Sequence, residues 1–155
     1  MHHAIGRLFR LETLVATVAL AVLSMGTAVA QDSDDPFKRA AYWQVSSIHV
    51  KDGSGLKYAN HLAKNWIRNQ EFAKSKGWIS GYHVLANAYP REGEPDVYLV
   101  TIFKEMTTAE EDDKRNKEWL EHEKSTNAQM EAESGARAEY RTLGGNMLLM
   151  EMVKR

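Results

Sequence analysis

One amphipathic helix pattern, bracketed by glycine turns and flanked by strand patterns, constrains this chain more than any other feature. From Leu56 to Lys76, Leu56, Ala59, Leu62, Ala63, Trp66, Ile67 and Ala73 fall on one side of a 3.6-residue wheel. Lys57, His61, Lys64, Arg68 and Glu71 fall on the other. Asp52-Gly53-Ser54-Gly55 precedes the pattern as a turn, and Gly77 follows it as a left-handed cap. Phe72 falls off the apolar stripe.

The flanking segments alternate with a period of two. Tyr42–Lys51 is rich in β-branched and aromatic residues and predicts a strand, as does Trp78–Asn87. Ala88–Asp96, with Pro90, Gly93 and Pro95, is a connecting loop. Val97–Lys104 is almost continuously apolar and predicts a strand inside a sheet. Thr107 or Thr108 opens a second, very polar helix over Ala109–Lys124, with Glu110 or Glu111 placed for a capping box and Trp119 and Leu120 as anchors. Ser125–Tyr140 continues helical after a break, Gly144-Gly145 turns the chain, and Asn146–Val153 returns as a last strand.

The order β-α-β-β-α-β predicts an α+β domain of the ferredoxin-like kind, a four-stranded antiparallel sheet with helices on one face. Val97–Phe103 and Met147–Val153 are apolar on both faces, more than one layer of helices can cover. A second copy packed sheet to sheet would cover the rest, so a symmetric homodimer is expected. Met147, Met150 and Met152 suit an adaptable contact of that kind.

Upstream of the domain, Met1–Ala30 has the three parts of a secretory signal: a start carrying Arg7 and Arg10, an uncharged apolar run over Leu14–Met25, and Ala28-Val29-Ala30 as a cleavage site. The apolar run is short for a membrane span and is interrupted by Thr17, Ser24 and Gly26. The expectation is cleavage, a flexible leader over residues 31–40, a single domain over 41–155, and a periplasmic or secreted product free of the membrane. The chain has no cysteine, which excludes disulfides, thiolate metal sites, a cysteine nucleophile and a lipidated cysteine. Its 20 basic and 21 acidic residues nearly balance, which argues against nucleic acid as a partner.

From Tyr42 to Arg155 the chain resembles the dimeric α+β barrel superfamily. The resemblance rests on His49-Val50-Lys51 before the Gly53/Gly55 turn, the long first helix, the Tyr98–Lys104 strand and the Gly144–Val153 return strand. It implies a cavity between sheet and helices in each subunit. It also implies a range of roles that includes cofactor-free monooxygenases, haem-degrading enzymes and isomerases.

No phosphate loop, nucleophile elbow or basic aromatic patch is present. His49 shares a strand face with Trp43, Val45 and Ser47, and His83 alternates with Ile79, Gly81 and Leu85. These two are the candidate catalytic groups, against the plainer reading of each as a structural or solvent-facing histidine. Trp66, Tyr58 and Tyr82 are the candidate ligand-binding aromatics, against the plainer reading as core. His61 reads as solvated surface, and Glu118 with His122 as part of a charged helix face rather than a metal pair. No metal or cofactor is expected. The leading expectation is a homodimer that binds a small apolar molecule. The alternatives are a monooxygenase-like enzyme using a strand histidine and a purely structural or interaction module.

Overall fold

The computed structural model describes residues 35–155; the signal-peptide reading of Met1–Ala30 lies outside the described residues. Strands β1 (Phe37–Val50), β2 (Gly81–Ala86), β3 (Val97–Phe103) and β4 (Arg141–Lys154) form one antiparallel sheet in the order β2-β3-β1-β4. Helix α1 (Gly55–His61) runs through a π-helical segment, Leu62–Trp66, into α2 (Ile67–Ser75). Helices α3 (Ala109–Glu123) and α4 (Asn127–Ala136) follow β3, and a 3₁₀ turn at Arg137–Glu139 leads into β4. This α+β arrangement is compatible with a ferredoxin-like fold. Among the described residues no helix is long and apolar enough to cross a membrane.

β1 is the spine of the sheet because its two faces meet different neighbours. Ile48 points to the helices and joins Tyr58, Leu62 and Leu99 in the core, with Val50, Trp66, Val97 and Tyr140 packed around them. Trp43, Val45, Ser47 and His49 alternate onto the opposite face. Residues paired directly across strands share a face. Val100 and Met147 therefore accompany Val45 there, and Leu149 accompanies Trp43. Both faces hold buried residues: Val100 is 1% exposed and Ile48 2%.

Several boundaries differ from the sequence expectation. β1 begins at Phe37, so residues 37–40, expected in the leader, belong to the sheet. Their partners Lys154, Val153 and Met152 lie at the far end of the chain and leave no local sign at Phe37–Arg39. β2 begins at Gly81 rather than Trp78, because the Trp78 N–H is taken by Ala73 O (3.0 Å) in the cap of α2. Gly77 adopts the expected left-handed conformation, with φ 72°, and its N–H reaches Lys74 O at 3.0 Å, completing a Schellman motif.

Gly144-Gly145 is not a turn. β4 runs straight through it, and the β1–β4 register slips by one residue between Ser47 and Ile48. The pair forms a β-bulge, with Gly145 at φ 124°.

The first helix is also rotated from its expected face. Leu56 is 77% exposed, whereas Tyr58 is buried at 3%. Tyr58, Leu62, Trp66 and Gln70 turn toward the sheet at a constant spacing of four. In a regular helix that spacing drifts by about 40° per step, and the wider π turn at Leu62–Trp66 absorbs the drift.

Phe72, off the stripe, is covered by α3. Its ring stacks on His122 with centroids 3.7 Å apart and meets Trp119 at 5.7 Å and Trp78 at 5.4 Å. Thr108 caps α3 by accepting from the Glu111 N–H (3.3 Å). Lys124, at φ 52°, breaks the helix, and Thr126 with Gln129 forms a capping box for α4.

Candidate functional site

α3 touches α2 along one side and leaves a cleft of about 320 Å³ against the sheet. Gln44 of β1 with Thr101 and Phe103 of β3 lines it from the sheet. Ala73, Trp78 and Ile79 line it from the end of α2, Glu105 and Met106 from the approach to α3, and Arg115 from α3 itself. A neighbouring depression of about 340 Å³ shares Trp78, Ile79, Glu105 and Arg115, so the opening continues around the α2 cap.

The local folding explains the apolar walls. The Schellman cap turns the chain sharply after Lys76 and holds Trp78 and Ile79 out of β2. The polar lining is mostly occupied. The Thr101 hydroxyl donates to Gln70 Oε1 (3.2 Å), and Arg115 donates to Glu111 (2.8 Å) with its guanidinium 5.8 Å from the Trp78 ring centre. Thr107 donates to Asp112. Among the described residues neither the Gln44 amide nor the exposed Glu105 carboxylate has a hydrogen-bond or ion-pair partner, so the Gln44 amide is the unengaged polar group on the sheet wall and Glu105 the one at the rim.

His49 and His83 both lie on the other face of the sheet. His83 is exposed, with its ring 6.0 Å from that of Trp43. His49 lies against the bulge, where a Cβ on Gly144 would be 2.8 Å from its Nε2. Four residues of β1 and two strand spacings separate the two histidines, about 16 Å. The structure does not bring them together, and neither lines the cleft.

Trp66 and Tyr82 meet edge to face, with centroids 5.6 Å apart, on the helix side of β2. The Tyr82 hydroxyl donates to Glu71, which raises its pKa above the ordinary value. Tyr58 belongs to the core, and burial pushes its hydroxyl up to about 12. The three candidate aromatics thus form packing around the core, with Trp66 alone reaching a cleft, a second one described next.

This second cleft, about 380 Å³, lies between the first helix and α4, and is polar: His61, Asn65, Arg68, Glu123, Glu133 and Arg137 are among its lining. His61, expected on the surface, is half-buried. Its ring lies 6.1 Å from Tyr58 and 6.2 Å from Tyr140, which are themselves 6.1 Å apart. Burial first, then Arg137 and Arg141, hold its pKa below the ordinary value. The sequence carries no local sign of this, because Tyr140 and both arginines come from the other end of the chain.

Glu118 and His122 are engaged separately, Glu118 by Lys76 (2.9 Å) and His122 by the Phe72 ring. Among the described residues no group of three or more histidines and carboxylates is placed to hold a metal ion. Comparison with protein families, curated proteins and solved structures finds no match to this chain.

Proposed function

We propose that this protein is an exported homodimer of the dimeric α+β barrel type that binds a small apolar molecule between sheet and helices. The observation that carries the reading is the cleft walled by Ala73, Trp78, Ile79, Phe103 and Met106, with the unengaged Gln44 amide on its sheet wall and the exposed Glu105 carboxylate at its rim. Ligand sites of this size are typically apolar with a few polar groups that fix orientation.

The dimer reading is supported by the face turned away from the helices. There Leu85, Met147 and Leu149 are each about half exposed around the buried pair Val45 and Val100. β4 is an edge strand of 14 residues with five exposed large apolar side chains, a surface a lone chain would leave open to association. The export reading rests on the N-terminal pattern of Met1–Ala30.

The test is titration of the purified protein with N-phenyl-1-naphthylamine, an uncharged apolar fluorophore, while Trp emission is followed. The reading expects saturable binding of one molecule per chain, lost in Ala73→Leu, which fills the cleft, and weakened in Gln44→Leu. Non-saturable binding, or binding indifferent to Ala73→Leu, would contradict it.

A further inference from the structure

Arg137 and Arg141 sit at the junction of the 3₁₀ turn and β4, beside the ring triangle of Tyr58, His61 and Tyr140. Arg141 pairs across the sheet with Val50, which packs on the core next to Tyr140. Both arginines are half-buried. Among the described residues neither makes an ion pair, although other basic groups around the second cleft do: Lys57 holds Glu139 (2.9 Å) and Arg68 holds Glu123 (2.8 Å). Glu133 lies one turn before Arg137 and lines the same cleft, yet is not within ion-pair distance of it.

Two partly desolvated guanidinium groups of like charge in one place are unfavourable without a counter-charge. The nearby carboxylates that could neutralise them are occupied by other cations or out of reach. His61 adds no charge, since burial and the two arginines keep it neutral. Asn65, Asn69 and Ser125 add polar groups along the cleft wall, and Trp66 adds an apolar surface.

We propose that the polar cleft binds a small oxyanion, a carboxylate or a phosphate, at the end marked by His61, with Arg137, which lines the cleft, as its direct counter-charge and Arg141, close to His61 but outside the lining, as a supporting charge. The guanidinium fork matches either group in a bidentate geometry. This site is separate from the apolar cleft over β1 and β3 and does not depend on it.

The test uses the purified protein at low ionic strength, where exposed charges are least screened. It follows the His61 imidazole by NMR during titration with inorganic phosphate and, separately, with benzoate. Binding should shift the His61 resonances saturably and raise its pKa, because the anion offsets the two arginines. Arg137→Gln and Arg141→Gln should each weaken binding about tenfold, with Arg141→Lys recovering part of the loss. Tighter binding of benzoate identifies an organic acid as the ligand class, and tighter binding of phosphate identifies a phosphate; either supports the site. Arg137→Gln, which leaves the β4 pairing untouched, keeps the test valid if Arg141 variants fold poorly. No saturable shift with either anion at millimolar concentration would overturn the proposal. Equal binding by wild type and the Gln variants would mean an adventitious ion only and would also overturn it.

Discussion

The imidazole of His49 occupies the space that a side chain on Gly144 would need. A Cβ at position 144 would lie 2.8 Å from Nε2 and 3.1 Å from Cδ2 of His49, and 3.3 Å from the Ser47 Cβ. Gly144→Ala therefore forces the imidazole aside and costs about 1–3 kcal/mol of stability. In a His49→Ala background the cost should fall, since only the Ser47 contact remains tight. A double-mutant cycle by urea unfolding measures the coupling; strict additivity would mean the ring moves freely.

Phe72 gains its cover from a helix fifty residues later. Phe72→Ala removes the contact with His122, Trp119 and Trp78 and should cost about 2–4 kcal/mol. Hydrogen exchange should show the loss spreading to α3, whose other ties to α2 are the exposed ion pairs Lys76–Glu118 and Arg68–Glu123. Unchanged protection in α3 would mean that those pairs, not the aromatic contact, hold it.

These two contacts mark where the sequence was readable. Gly77 and Thr108 were legible because a cap is a local event: the residue type and the backbone group it serves lie within a few positions. The strand and helix order was legible for the same reason, through periodicity. Phe72, the start of β1 at Phe37 and the surroundings of His61 were not, because each depends on partners far along the chain. Gly144-Gly145 was ambiguous, since a turn and a bulge both favour glycine, and only the pairing of β1 with β4 distinguishes them. The π segment has no residue signature, so the rotation that buries Tyr58 and exposes Leu56 was invisible. In the candidate site, the pattern of Trp78–Asn87 predicts a strand from Trp78 on, whereas the cap of α2 turns Trp78 and Ile79 into the wall of the cleft.

Gly77→Ala tests the cap directly. At φ 72° an L-residue costs about 1–2 kcal/mol, and nothing within 4 Å would meet the added methyl, so the loss is purely conformational. Gly77→Asn, which tolerates that region better, should lose less. Thermal unfolding of the two variants gives the comparison; equal losses would point to a contact rather than to backbone conformation.

His61 gives stability a pH dependence. Its pKa in the folded protein is depressed below the ordinary 6.5 by burial and by Arg137 and Arg141. Below 6.5 the unfolded chain binds a proton that the folded state resists. The contribution of His61 is therefore complete above about pH 6.5 and declines as pH falls toward the depressed value. Urea midpoints between about pH 5 and 7.5 should rise with pH, and His61→Gln should flatten that slope. A slope unchanged in His61→Gln would assign it to other groups.

Native mass spectrometry of the purified protein reads pairing through the open sheet face and occupancy of the apolar cleft at once. A ligand-bearing homodimer gives a two-copy ion that carries added mass from a bound small molecule. Leu149→Glu, which places a charge on the face shared with Trp43 and Met147, should give a single-copy ion. A single-copy ion of bare wild-type chain at micromolar concentration would contradict that assembly.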